Sequence, residues 1–254
     1  MHISIKGNGS ALVLLHGFCE SSKIWSPYID AFQNDFRVVC IDLPGHGQSA
    51  SQEIESQLTI DSVAESIHKL LAHNDIHQYF VIGHSLGGYI ALALAELHPE
   101  SLTGFGLFQS AALADDEAKR AVRDKVVNYI EAHGVDNFTE TFVPGLFAPE
   151  NKIKLAGAIK AIQKEAAKTS AEGVIAFAKA MKSRPDRMNL LSTFPKLIFI
   201  IGSEQDPAVP LPHTEEMISN ISKGDSLILK TAGHNGFIEE KEICIEFIRN
   251  FLWV

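Results

Sequence analysis

"VIGHSLGGYIALALAELHP", Val81 to Pro99, decides how the chain is read. A short apolar run stops at Gly83, His84 and Ser85, and an Ala/Leu-rich pattern, apolar nearly all round, then continues up to Pro99. This predicts a buried strand that turns at Ser85 directly into a buried helix. Gly83 and Gly87 remove the Cβ atoms that would collide where strand and helix pack around the serine. Such a corner has a steric reading, in which the glycines serve only a tight turn. It also has a chemical one, in which the corner holds the Ser85 hydroxyl clear of the sheet as a nucleophile.

Working outward, apolar runs of strand length recur on both sides: Ala11–Gly17, Phe36–Gly45, Tyr79–Ser85, Leu102–Ser110, Lys196–Ser203 and Asp225–His234. They are nearly continuous in Val, Ile, Leu and Phe, as strands buried on both faces of a parallel sheet are. Helical stripes lie between them, clearest at Ile60, Val63, Ala64, Ile67, Leu70 and Leu71, and an amphipathic helix closes the chain from Gly236. Alternation of this kind predicts an α/β fold with a doubly wound, mostly parallel sheet. From Ala112 to Asp186 only helical patterns occur, the last of them with Thr169 and Glu172 at capping-box spacing. The expected organisation is a core of residues 1–111 and 187–254 with a helical cap, 112–186, inserted between two strands of the sheet.

Of the 254 residues, 46% are hydrophobic and 21% charged, the profile of a globular domain. The formal net charge of −9 argues against a nucleic-acid partner, which calls for a Lys/Arg-rich face. No apolar run approaches 18 residues, so no membrane span is expected, and the amino-terminal segment lacks the basic region and cleavage site of a signal peptide. Three widely spaced cysteines without a CxxC pair read as reduced thiols and point to a cytoplasmic location.

In an open parallel sheet, ligands bind at the carboxyl ends of the strands. The polar residues expected there are His16, Asp42, Ser85, Asp206 and His234. Serine needs a base, and His234, between small residues in "KTAGHNGFIEE", is the one of eleven histidines with an unhindered ring at a strand end. His84 adjoins the serine along a backbone that turns away, so packing is its expected role. His73 and His77 share helical spacing with no third ligand, and neither a metal nor a cofactor is expected. The base needs an orienting acid; Asp206 in "GSEQDPAVP" follows a buried run, with Glu204 and the more remote Asp115 as alternatives. The turn after "LLHG" brings the Phe18 backbone N–H opposite that of Leu86, a pair suited to stabilising an oxyanion. Cys19 is a rival nucleophile without an evident acid-base partner.

Five motifs together resemble the α/β-hydrolase superfamily in its esterase-like branch: His16–Phe18, "DLPGHGQS" at Asp42–Ser49, "GHSLGG" at Gly83–Gly88, "DPAVP" at Asp206–Pro210 and "GHNGFIEE" at Gly233–Glu240. The resemblance spans essentially the whole chain outside the cap. It implies Ser85 as nucleophile, Asp206 as acid, His234 as base, the Phe18 and Leu86 amides as oxyanion hole, and a shaping role for Asp42 and His46. The order Ser85, Asp206, His234 is that of the family. Two departures stand out: a short amino terminus with room for one strand, and a "GSEQD" loop one residue longer than the family's frequent spacing.

The expected activity is hydrolysis of small-molecule carboxylic esters carrying small to medium uncharged acyl groups, through an acyl-enzyme on Ser85. Within the cap, Phe138, Phe142, Leu146 and Phe147 are spaced for an apolar face; they pack the cap on the sheet, or Leu146 and Phe147 line an acyl pocket. An acyltransferase or perhydrolase, a thioesterase, and a non-enzymatic sensor of a small ligand are the alternatives on the same framework.

Overall fold

The computed structural model describes residues 1–253. Seven strands form one sheet: β1 (His2–Lys6), β2 (Ala11–Leu15), β3 (Arg37–Asp42), β4 (Tyr79–His84), β5 (Leu102–Phe108), β6 (Leu197–Ser203) and β7 (Gly224–Leu229). Their order across the sheet is β1-β3-β2-β4-β5-β6-β7, and all pairs are parallel except β1 with β3. The amino-terminal segment supplies the antiparallel edge strand, with His2 opposite Asp42 and Lys6 opposite Val38.

The helices are α1 (Ser26–Phe32), α2 (Ile60–His73), α3 (Leu86–Leu97), α4 (Glu117–Gly145), α5 (Asn151–Lys154), α6 (Ala156–Ala166), α7 (Ala171–Ser183), α8 (Met188–Thr193), α9 (Leu211–Ser219), α10 (Gly236–Glu239) and α11 (Lys241–Leu252). Both sheet faces are covered, so successive strand residues alternate sides while remaining apolar. Val13, Leu15, Val39 and Ile41 join α2, α3 and α7 in one core; Leu12, Leu14, Val38 and Cys40 join Trp25, Tyr28 and α11 in the other.

Between β5 and β6 the chain is helical, with α4 broken at Gly134 (φ 78°). The last cap helix starts one residue later than its capping-box spacing suggests. Ser170, not Thr169, is the N-cap, its Oγ accepting the Gly173 N–H at 3.0 Å. The same residue ties this helix to the core, since the Ser170 N–H donates to the Gly45 carbonyl at 2.9 Å. Among the described residues no helix is long and apolar enough to cross a membrane.

Candidate active site

The chain leaves β2 toward β3 on one side and returns as β4 on the other, so the topological switch point lies between β2 and β4. A crevice opens at the carboxyl ends of the strands at such a point. Phe18 follows one of these strands and Ser85 and Leu86 the other, and this places the two expected amides on opposite sides of the crevice. Among the described residues neither the Phe18 nor the Leu86 N–H donates to a protein acceptor. Leu86 is the first residue of α3, where backbone N–H groups lack intrahelical partners and the helix dipole favours negative charge.

Ser85 adopts φ 49°, ψ −112°, a conformation L-residues rarely take, and it is half-buried rather than enclosed. Its peptide groups hold it there: the N–H donates to the Phe108 carbonyl at 3.0 Å, and its carbonyl accepts from Gly88 N–H at 2.9 Å and Ser110 Oγ at 2.7 Å. The glycine requirement read from the sequence is steric in fact. A Cβ on Gly83 would lie 2.1 Å from the Gly87 carbonyl oxygen, and one on Gly87 would lie 2.4 Å from that of Leu15. Both obstacles are backbone, so Gly83→Ala is expected to destabilise the fold by on the order of 3 kcal/mol, measurable as a lower urea midpoint at unchanged slope.

Among the described residues, three of the four non-glycine residues with positive φ belong to this region: Cys19 (58°), Ser85 and Gln109 (48°), following β2, β4 and β5 respectively. Strained residues gather where a site over-determines its backbone.

His234 Nδ1 lies 2.8 Å from Asp206 Oδ2 and 2.9 Å from Oδ1, both side chains being buried. Asp206 Oδ1 also accepts from the Ala208 and Val209 N–H groups at 2.8 and 2.9 Å, so the carboxylate is fixed by its own loop. The longer "GSEQD" loop thus delivers Asp206. Glu204 is exposed, and Asp115 is occupied by Arg123 at 2.9 Å and Arg184 at 2.6 Å.

His234 is not at a strand end, as its sequence context suggests, because β7 stops at Leu229. Its loop is held from three sides instead. The Gln109 side chain brackets it, its amide nitrogen donating to the Gly233 carbonyl and its oxygen accepting the Gly236 N–H at 2.7 Å. Glu239 Oε1 accepts the Gly233 N–H at 2.9 Å, and the Leu146 carbonyl accepts the His234 N–H at 2.6 Å. Gln109 escaped the sequence reading although it directly follows the last strand residue, Phe108, within the run Leu102–Ser110; a strand-end amide was the available signal.

The other polar residues of the region are structural. His16 Nδ1–H donates to the Gly17 carbonyl at 2.8 Å while Nε2 accepts the Leu43 N–H at 3.0 Å. His46 Nδ1–H donates to the Pro44 carbonyl at 2.9 Å while Nε2 accepts the Cys19 N–H at 3.2 Å. One donor and one acceptor each define neutral rings. Burial lowers the pKa of both, that of His46 to about 3. Asp42 accepts the Ser22 and Gln48 N–H groups at 2.7 and 2.9 Å. Burial first, and the neighbouring Glu20 second, push the Cys19 thiol pKa up, which disqualifies it as a nucleophile.

Of the cap aromatics, Phe138 and Phe142 stack at 4.7 Å and both meet the Phe18 ring, at 6.4 and 5.9 Å. Phe147 is buried in the core and Leu146 half-buried, its backbone against the His234 loop. An apolar cavity of about 440 Å³ lies between the loop after β2 and α6, lined by Cys19, Glu20, Ile24, Ile162, Phe237 and Ile238 among others. It adjoins the turn at Gly17 and Phe18 through Cys19; Ser85, Leu146 and Phe147 are not among its lining residues.

Comparison with known proteins agrees with this fold. The chain is 28% identical over 241 residues to the dihydrolipoyllysine-residue acetyltransferase component of an acetoin cleaving system from Pseudomonas putida, covering 92% of this chain and 61% of that protein. It is 38% identical over 100 residues to a pimeloyl-[acyl-carrier protein] methyl ester esterase from Nitrosomonas europaea, covering 39% of this chain and 37% of the relative. The chain thus spans less than two thirds of the length of either. A thermophilic esterase from Thermogutta terrifontis, solved with malate bound, superposes with a TM-score of 0.93 at 26% identity, over 99% of this chain and 92% of that one. The family model described as alpha/beta hydrolase fold matches residues 10–241, and the chain belongs to the α/β-hydrolase family.

Proposed function

We propose that this α/β-hydrolase cleaves carboxylic esters of small to medium uncharged acyl groups through an acyl-enzyme on Ser85. The observation that carries the proposal is the strained, backbone-locked Ser85 at the switch point together with the buried His234–Asp206 pair. With Nδ1–H donated to Asp206, His234 keeps Nε2 as its unprotonated nitrogen, the state a general base requires. In this reading Nε2 takes the Ser85 proton as Oγ attacks the ester carbonyl, and the Phe18 and Leu86 amides receive the oxyanion. His234 then returns the proton to the leaving alcohol, and water activated by the same nitrogen releases the acid. A donor of this kind contributes roughly 3 kcal/mol to barrier lowering.

The apolar walls of the cavity beside Cys19 and the Phe18–Phe138–Phe142 cluster support an uncharged substrate portion. Leu146 and Phe147 are proposed to contribute to acyl binding, Leu146 through its position against the base loop. Three free, buried cysteines support action in a reducing, cytoplasmic setting on small molecules.

A chain-length series of p-nitrophenyl esters tests the proposal. Turnover is expected with short to medium acyl chains, with a fluorophosphonate adduct found on Ser85 by mass spectrometry. Well-folded protein that hydrolyses no ester of the series would sink the ester reading. Acyl transfer is the second reading, supported by the acetyltransferase name carried by the Pseudomonas relative; a higher yield of transfer product than of free acid with an added alcohol or thiol acceptor would favour it.

A further inference from the structure

Besides His234, three buried histidines crowd the crevice, and their partners differ. His16 and His46 each have one acceptor and one donor partner. His84 has two acceptors: Nδ1 lies 3.0 Å from Glu20 Oε2, and Nε2 lies 2.9 Å from the His234 carbonyl oxygen. A neutral imidazole carries one N–H and satisfies only one of these; an imidazolium satisfies both. The ring is wholly buried, edge-on to Phe237 at 4.8 Å and Phe108 at 6.0 Å, so water cannot supply the missing partner.

Glu20 is the matching anion. It is buried, and Oε2 also accepts the Gly17 N–H at 2.6 Å. Gly17 owes its place to this pair, because a Cβ there would stand 2.7 Å from Glu20 Oε2 and 2.8 Å from His84 Nδ1. The two side chains, one of them on the residue preceding Ser85, thereby link the turn that presents the Phe18 amide to the backbone of the base.

We propose that Glu20 and His84 form a buried carboxylate–imidazolium pair that braces the oxyanion turn against the His234 loop, making both of them positioning residues. The catalytic half of this statement rests on the ester-hydrolase reading; the charge state does not. Both titrations run in the matching direction. Burial opposes charge on His84, yet the Glu20 charge and hydrogen bond outweigh it and raise the pKa. Burial likewise opposes charge on Glu20, and His84 outweighs it and lowers the pKa. The other titratable groups facing the ring are His16, which is neutral, and Asp206 and His234, with the Asp206 carboxylate favouring the cation.

A raised histidine stabilises the fold fully below its ordinary value of 6.5, and this is lost as pH rises through the folded value. A lowered carboxylate stabilises it above its ordinary 4.5, and this is lost as pH falls through the folded value. The pair therefore stabilises most between these two ordinary values.

The test combines spectroscopy with two variants. Side-chain ¹⁵N NMR of the wild type is expected to show both His84 nitrogens predominantly protonated at pH 6.5, the ordinary histidine midpoint; one unprotonated nitrogen there would overturn the pair. Glu20→Met removes the acceptor for Gly17 and the partner of His84, and at least a tenfold loss of kcat with KM within twofold is expected. Glu20→Gln keeps an oxygen where Oε2 accepts from the Gly17 and His84 N–H groups but removes the negative charge, so it is expected to recover most of kcat while losing the excess stability between pH 4.5 and 6.5. Wild-type kcat in folded Glu20→Met would overturn the brace. If that variant does not fold, the NMR state and the pH-dependent stability difference between wild type and Glu20→Gln decide instead, and absence of that difference overturns the pair. A wild type without ester turnover would refute the function and leave the NMR result standing.

Discussion

Ser85→Ala is expected to cut kcat for the best ester by roughly 10⁶-fold, about 8 kcal/mol of barrier. No neighbour can replace the hydroxyl. Cys19 is enclosed with its thiol pKa raised, and His16 and His46 have both nitrogens occupied in hydrogen bonds that hold loops together. The free Phe18 and Leu86 amides remain in the variant, so KM is expected to change little. Stability is expected to stay within about 1 kcal/mol, because alanine has the same Cβ at the same strained φ and the backbone bonds to Phe108, Gly88 and Ser110 persist. Steady-state kinetics with a burst assay check this. Residual kcat within tenfold of wild type would place the nucleophile elsewhere.

Asp206→Asn is expected to lower kcat by about 10⁴-fold with the fold intact, and the reason is a tautomer. Oδ1 of Asp206 accepts from two backbone N–H groups, Ala208 and Val209. An asparagine there must turn its oxygen to those donors, which points its NH₂ group at His234 Nδ1. That nitrogen then accepts, its proton moves to Nε2, and the base offers a hydrogen where Ser85 needs a lone pair. Every hydrogen bond is still satisfied, so the melting temperature is expected to move by no more than a few degrees. The ¹⁵N spectrum of His234 should show Nε2 protonated in the variant and Nδ1 protonated in the wild type. A wild-type tautomer with wild-type kcat would remove Asp206 from the mechanism.

What could be read from the sequence was local in kind. The parallel strands announced themselves because strands covered on both faces have no polar positions, and the Ser85 corner did so because tight packing left Gly83 and Gly87 no alternative. Positions that depend on distant partners stayed hidden. Glu20 and His84 are 64 residues apart, and nothing near either says that they meet. The sequence of β7 continues in strand-like fashion to His234, yet the strand stops at Leu229, because the Gln109, Glu239 and Leu146 contacts claim the backbone that follows. Thr169 and Ser170 are equally good caps by type; the Gly45 carbonyl, more than a hundred residues away, selects the second.

The contact between the cap and the base loop bears on how this protein can be re-engineered. Besides the Leu146–His234 bond, the Ala148 N–H donates to Glu239 Oε2 at 2.9 Å, and the Asn151 amide donates to the Thr231 carbonyl at 2.7 Å and to Glu239 Oε2 at 2.8 Å. Residues 146–151 are thus stitched to 231–239, while α6 and α7 have no such seam with the base. A chimera that exchanges the whole insertion would import a foreign hem and drag His234 with it. Splice points placed after Asn151 and before Ser170 would leave the seam native, so new specificities could be grafted without retuning the base.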